Sequence, residues 1–302
     1  MHVLFIAPDT GVYNQRFVDG LKRRGARVSG IGMAPEARLA PELRKMLDGY
    51  RQARSVLDGA ELTTIARELG KTHAFERVET IDEPMVAPAA KVREEFALPG
   101  LTVEQARLCR DKAAMKDALR AKGLPCAAST SAEDAATVHA FAEREGYPLV
   151  LKPREGFGTL HTFRVDDKAA LERALAKLAP APGRASIVEE FVEGHEGFYD
   201  TLTAGGRVVH DFVGHYYPSC LEALQQRTIT PRIACTNRVE QGGYAELREV
   251  GQKVIDALGL VDCATHMEWF FGPKGLKVSE IGARPAGERI WDMHVAGNEF
   301  DL

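Results

Sequence analysis

No apolar run in the chain approaches the roughly 18 residues of a membrane span, and no basic excess is present, the formal net charge being -4. A membrane protein and a nucleic-acid binder are therefore not expected, although a local basic pocket stays compatible with that balance. The N-terminal run Met-His-Val-Leu-Phe-Ile-Ala-Pro lacks a basic leader and is too short for a signal segment, so it reads as a buried strand of a cytoplasmic protein. The five cysteines, Cys109, Cys126, Cys220, Cys235 and Cys263, are odd in number and contain no close pair, which indicates neither a disulfide framework nor a zinc site. The turn after the first strand lacks G-x-G-x-x-G, the loop after Lys152 lacks Gly-Lys-Ser/Thr, and no nucleophile elbow is recognisable. The usual dinucleotide fold, a P-loop and covalent catalysis each lose support.

What is present is an ordinary globular composition, 45% hydrophobic and 27% charged over 302 residues, enough for two or three lobes. Residues 2–7, 13–24 and 26–31 read as strand, helix and strand, a βαβ unit, and the spacing of apolar residues predicts helix across 41–79. A capped helix is expected from Thr102 towards Lys122, stopped by Gly123. Beyond it the pattern is strand 126–129, helix 132–145, strands 149–152 and 162–165, helix 168–178 and strand 186–191. A hairpin of 197–203 and 207–213 follows, then a long loop 215–243 and a helix 244–258.

The last element carries the most information. His266 to Phe271 and Leu276 to Ile281 are β-forming runs joined by Gly-Pro-Lys-Gly, the chemistry of a hairpin turn. With a three-residue loop Pro273-Lys274-Gly275, Gly272 faces Leu276 and Glu268 falls opposite Glu280 on the same face. Opposed carboxylates destabilise a strand pair unless a cation lies between them, and Mg²⁺ is commonly held by one or two carboxylates together with substrate phosphates. Read alone, the pair could equally sit on a solvated sheet face.

Three further stretches bear charge in unusual places. Lys152 ends the apolar strand Leu149-Val-Leu and precedes Pro-Arg-Glu-Gly156-Phe157-Gly158-Thr159-Leu-His161, a loop whose glycines let backbone N-H groups approach an anion. An ammonium on a buried strand needs a partner, and a nucleotide phosphate is one. In Arg110-Asp-Lys112-x-x-x-Lys116-x-x-Leu119 the lysines read, by themselves, as the solvated face of an amphipathic helix. In Val188-Glu189-Glu190-Phe191-Val192-Glu-Gly-His-Glu196, alternation sets Glu189 and Phe191 on one face and Glu190 on the other.

Taken in this order and at these separations, the four stretches resemble the ATP-grasp superfamily, specifically its carboxylate-amine ligase branch, over about residues 100–290. The fold implied is α/β: a Rossmann-like pre-ATP-grasp lobe at 1–95, then an ATP-grasp fold at 96–302. The latter would comprise a lid of about 124–188 and a metal-binding part of about 189–302. The resemblance implies that Lys112 and Lys152 contact nucleotide phosphates, that the loop Gly156 to His161 folds over them, and that Glu189, Glu190, Phe191 and Val192 hold adenine. It further implies Glu196 on the ribose, Glu268 and Glu280 on Mg²⁺ or Mn²⁺, and Arg284 on the substrate carboxylate or acyl phosphate. Arg227, Arg232, His266 and Arg289 are weaker candidates for substrate contact.

Three features depart from the family pattern. Gly282 stands where an asparagine often supplies a metal ligand, His161 stands where glycine is common, and the sequence stops soon after Arg-Pro-x-Gly where many relatives continue. The activity implied is ATP-dependent joining of a small-molecule carboxylate and an amine through an acyl phosphate; a homodimer is compatible with it. Two rivals are a biotin-carboxylase-like or purine-pathway enzyme acting on a small acid, and a non-catalytic ATP-binding module.

Overall fold

Strand β1 (His2–Ile6) is buried on both faces, which is why its sequence after His2 is an unbroken apolar run. The structure is a computed structural model, and it describes residues 1–155, 161–225, 229–230, 232–287 and 289–298. In the first lobe β1 is followed by α1 (Val12–Arg23), β2 (Arg27–Gly32), α2 (Pro41–Met46), β3 (Gly49–Gln52), α3 (Gly59–Leu69), β4 (Arg77–Glu79) and α4 (Val86–Glu95). The strands form a parallel sheet in the order β3-β2-β1-β4. Val18 of α1 and Leu43 of α2 pack on the face carrying Val3 and Phe5, whereas Leu62 of α3 and Ala89 of α4 pack on the face carrying Leu4 and Ile6. The helical pattern expected over 41–79 is thus corrected to two helices and two strands. Both strands are short, and in β3 only Tyr50 is buried, so neither prints a period-two pattern on the sequence.

The helix expected from Thr102 to Lys122 is also two. In α5 (Val103–Leu108) the Thr102 hydroxyl accepts from Gln105 N-H at 3.2 Å while Gln105 Oε1 accepts from Thr102 N-H at 2.9 Å, a reciprocal cap. The chain then breaks, and α6 (Lys112–Ala121) restarts under a second cap, Asp111, which accepts from the N-H groups of Ala113 and Ala114 at 3.1 Å each. This restart sets Lys112 at the first turn of a new helix.

The segment expected as a lid comprises β5 (Ser129–Ala132), α7 (Ala135–Glu145), β6 (Leu149–Pro153), β7 (Phe163–Val165), α8 (Lys168–Leu178) and β8 (Ser186–Glu190), its sheet ordered β5-β8-β6-β7. Phe141, Leu171 and Leu175 of its helices bury Leu149, Leu151 and Val188 on one face. By alternation Lys152 and Glu189 share the other face.

The second sheet is antiparallel, β11-β10-β9-β12-β13. It is built from β9 (His195–Ala204), β10 (Arg207–Tyr217), β11 (Arg232–Thr236), β12 (Cys263–Gly272) and β13 (Gly275–Gly282). Helix α10 (Ala245–Leu258) covers one face, packing Val254 and Ile255 against Tyr199, Met267 and Val278, and α11 (Ile290–Asn298) packs Ile290 and Trp291 against Phe198 and Phe212. The loop expected over 215–243 instead contains the end of β10, α9 (Cys220–Gln225) and β11. β11 is an edge strand whose first three residues are exposed, so no buried pattern announced it.

Candidate active site

The β12-β13 hairpin sets Glu268 opposite Glu280. Its turn is one residue tighter than the sequence suggested, with Gly272 facing Gly275, and Gly275 at φ 75° takes a conformation that a residue with a side chain adopts at a cost. A register shift between Glu268 and Trp269 restores the pairing, because Ser279 is an extra residue on β13. Both carboxylates line the cleft between the lid sheet and the second sheet.

Two cavities meet at this pair. One, of about 330 Å³, is lined by Lys112, Lys116, Lys152, His161, Glu189, Glu190, Phe191, Val192 and Glu196. The other, of about 400 Å³, is lined by Glu83, Arg110, His266, Arg284 and Arg289 among others, and both share Lys112, Glu268 and Glu280. The cleft therefore gathers most of the sequence-derived candidates that lie in described residues. Arg232 is the exception: it pairs with Tyr217 on β11 and lines neither cavity. Glu190 lines the first cavity, but its carboxylate is engaged elsewhere, accepting from Ala128 N-H at 3.0 Å and from Lys274 at 2.6 Å. Gly156, Phe157, Gly158, Thr159 and Arg227 lie outside the described residues. His161 adopts φ 59°, the region glycine enters most easily.

The charges are tightly interlocked. Lys112 Nζ lies 3.3 Å from Glu280 Oε2, and Lys152 Nζ lies 3.3 Å from Glu189 Oε2 and 4.0 Å from Glu280 Oε2. Lys116, fully buried, has its Nζ 3.3 Å from Glu189 Oε1 without hydrogen-bond alignment. Its solvated reading is overturned: it falls four residues after Lys112, on the face α6 turns to the lid. Burial alone would raise the Glu189 carboxyl, yet Lys116 and Lys152 hold it below the usual range. Burial likewise opposes the charge on Lys152, but Glu189 and Glu280 outweigh it and raise its pKa. In the carboxylate pair, burial and then the charge of Glu280 push Glu268 up, whereas Lys152 and Lys112 overcome burial and hold Glu280 down. Burial, then Glu268, pushes Glu196 up to about 8, even though its Oε2 accepts from Cys220 N-H at 2.6 Å.

An acidic pair with one member driven towards neutrality fits a divalent cation. Among the described residues no group of three or more histidine, cysteine or acidic side chains is arranged to hold a metal. The donor set therefore suits a cation that takes its remaining oxygens from substrate phosphates and water, as Mg²⁺ does.

Several site residues escaped the sequence. Glu83 comes from the first lobe and accepts from Arg110 at 3.1 Å and from Arg284 at 2.7 Å. A Cβ at Gly282 would stand 2.8 Å from Glu83 Oε2, so this carboxylate fills the space that a side chain there would need. Arg154 donates to both oxygens of Asp111, at 2.7 and 2.5 Å, tying the lid strand to the start of α6. Asp200, fully buried, accepts from His266 Nδ1-H at 2.6 Å and from His294 Nε2-H at 2.7 Å, which fixes the ring of His266 at the cavity wall. Only Lys116 had a legible signal, its helical spacing from Lys112; the others depend on contacts between distant segments.

Comparison with known proteins gives the family and the fold. A family model described as an ATP-grasp domain matches residues 117–296, more than half of the chain. An L-arginine-specific L-amino acid ligase of Bacillus subtilis is 26% identical over 245 residues, covering 79% of this chain and 58% of that protein. The crystal structure of an L-amino acid ligase from Bacillus licheniformis superposes with a TM-score of 0.76 at 22% identity, covering 99% of this chain and 70% of that one. The biotin carboxylase domain of the Hydrogenobacter thermophilus 2-oxoglutarate carboxylase, in complex with MgADP and bicarbonate, superposes with a TM-score of 0.72 at 21% identity, covering 96% and 65%. The chain spans less than two thirds of the length of the first curated relatives it matches. Among the described residues no helix is long and apolar enough to cross a membrane.

Proposed function

The chain belongs to the ATP-grasp family, and from that premise we propose that it is an ATP-dependent carboxylate-amine ligase. It forms an amide or peptide bond through an acyl phosphate and releases ADP and phosphate. The observation that carries this reading is the meeting of Lys112, Lys152, Glu268 and Glu280 at the junction of two cavities, one beside the lid and one carrying Arg284. The relatives named as L-amino acid ligases support amino acids as the substrates. We further propose that the chain divides near residue 95, with a lid of about 124–188 and a metal-binding part of about 189–302.

The nucleotide occupies the cavity of about 330 Å³. Lys112 and Lys152 bind its phosphates, exchanging carboxylate partners for phosphate oxygens, with His161 at the same cavity wall. Glu189, Phe191 and Val192 face the base and Glu196 the ribose; Glu190 is left to its contact with Lys274, joining the lid to the hairpin turn. Glu268 and Glu280 hold Mg²⁺, and Mn²⁺ would suit the same oxygen donors. When bound, the cation neutralises charge on the phosphates. In the second cavity Arg284 orients the substrate carboxylate for attack on the terminal phosphorus, with His266 and Arg289 at the wall. The two lysines offset the charge that develops on the transferred group. The amine nitrogen then attacks the acyl carbon and phosphate leaves.

ADP release measured with Mg-ATP and pairs of amino acids tests the proposal. The expected result is turnover that requires both a carboxylate and an amine. Nucleotide binding without turnover would assign a binding module, and turnover with bicarbonate or formate alone would assign the small-acid class.

A further inference from the structure

The carboxylate of Glu83 reaches from the first lobe to the end of β13, where Gly282 leaves room for it. Glu83 heads the helical turn Glu83–Met85, whose Met85 is buried in the first-lobe core, and the preceding Asp82 accepts from Asn14 Nδ2 at 2.7 Å. From this anchored base Glu83 Oε1 accepts from Arg110 Nη1 at 3.1 Å and Oε2 accepts from Arg284 Nε at 2.7 Å. Each oxygen holds a different guanidinium. Arg284 Nη1 also donates to Pro285 O at 2.7 Å, so that guanidinium is gripped through two of its nitrogens, while Nη2 has no hydrogen-bond partner among the described residues. Resting on the ligase reading, we infer that Glu83 is a positioning residue: it aims Arg284 at the substrate carboxylate, and Gly282 is the opening through which it does so.

Space and commitment carry the argument. A Cβ at Gly282 would stand 2.8 Å from Glu83 Oε2 and 3.8 Å from Arg284 Cγ, so a side chain there would meet the carboxylate where it grips Arg284. The carboxylate yields only at the cost of a charge-assisted bond, because Oε1 is tied to Arg110 and the Glu83 and Arg284 side chains are 12% and 18% exposed. The other groups lining this cavity that carry or can take positive charge are held by different acids: Lys112 by Glu280 at 3.3 Å, His266 by Asp200 at 2.6 Å and Arg289 by Asp292 at 3.5 Å. Glu83 is thereby left to the two arginines. Removing its charge keeps both guanidinium groups in the cavity and loses the aim of Arg284. A substrate carboxylate then still enters, but its oxygen is misplaced from the terminal phosphorus, which lowers kcat rather than raising KM.

The test measures hydroxamate formation by the full chain with Mg-ATP, hydroxylamine as the amine, and each standard amino acid in turn as the acid. Hydroxylamine captures an acyl phosphate, so the signal does not depend on the natural amine. With the fastest acid, Glu83→Gln is expected to lower kcat at least about tenfold, with KM for the acid and Kd for Mg-ATP within about threefold of the parent. Gly282→Ala, which deletes no charge, is expected to show the same split. In an Arg284→Lys background, which lacks the Nε-H that Glu83 holds, Glu83→Gln should cost less than about threefold further. Three results each overturn this inference alone: an unchanged kcat in Glu83→Gln or Gly282→Ala, a KM for the acid raised about tenfold, which would make Glu83 itself a substrate contact, or an undiminished loss in the Arg284→Lys background. No hydroxamate from any acid, with nucleotide still bound, sinks the ligase reading and this inference with it.

Discussion

Replacing Lys152 with methionine removes one ammonium from the cleft while keeping the length of the side chain. In the unliganded protein it deletes two attractions, to Glu189 at 3.3 Å and to Glu280 at 4.0 Å. With an effective dielectric of about 20, each is worth about 4 to 5 kcal/mol before solvation is counted. Most of that is offset: the variant no longer strips water from the ammonium, a cost of several kcal/mol, and it relieves the repulsion that Lys152 exerts on Lys116. Neither acid is left bare, since Glu189 keeps Lys116 and Glu280 keeps Lys112, both at 3.3 Å. The net loss should therefore be about 1 to 3 kcal/mol, inside the total stability of about 5 to 15 kcal/mol of an ordinary domain, and the fold should persist. Nucleotide binding loses a charge-assisted contact worth about 1.5 to 3 kcal/mol, so the Kd for ATP should rise roughly ten- to a hundredfold. Lys22→Met is the control: Lys22 pairs with Asp48 at 2.7 Å on the first lobe and lines neither cavity, so ATP affinity should change by less than about threefold. Calorimetric titration with ATP, beside thermal melts of each variant, reads both effects. Unchanged affinity in a folded Lys152→Met protein, or an equal loss in Lys22→Met, refutes the assignment of Lys152 to the phosphates.

Glu280→Gln should abolish Mg-dependent turnover while ATP still binds without metal, and retained Mg-dependent turnover would remove Glu280 from the metal site. Gly282→Asn should lower turnover because its Cβ would stand 2.8 Å from Glu83 Oε2, on the carboxylate that Arg110 and Arg284 share, and full activity in this variant would argue against that crowding. For pH, Glu196 is raised to about 8 when folded, so the folded state binds the extra proton between the ordinary carboxylate range and that value. Stability should accordingly fall as pH rises from about 5 to 8, and this part of the slope should vanish in Glu196→Gln. Parallel melting curves for the two proteins across that window would contradict the shift.

How far the sequence could be read follows from how local each signal is. Helix α8 was legible to its ends, Lys168–Leu178, because its apolar spacing and the Asp167 cap are local. The facing of Glu268 and Glu280 was also legible, though a tighter turn and a bulge at Ser279 cancel where the simple count assumed one longer loop. Strands β3 and β11 left no trace because an edge strand with few buried residues lacks a period-two pattern. The break between α5 and α6 was hidden because Asp111, its second cap, also reads as an ordinary charged residue of one long helix; its capping bonds and its grip on Arg154 appear only in three dimensions. Glu83 was illegible for a different reason. It lies 201 residues from Arg284, and nothing near it in sequence marks a residue that completes a site on another lobe.

In the proposed enzyme one cleft holds a metal-bound triphosphate between two lysines and two opposed carboxylates. A crystal structure of the full chain with Mg²⁺ and a non-hydrolysable ATP analogue measures it directly. The expected result has the cation between Glu268 and Glu280 and the phosphate oxygens on Lys112 and Lys152; a nucleotide bound elsewhere, with those four side chains still paired to one another, would contradict it.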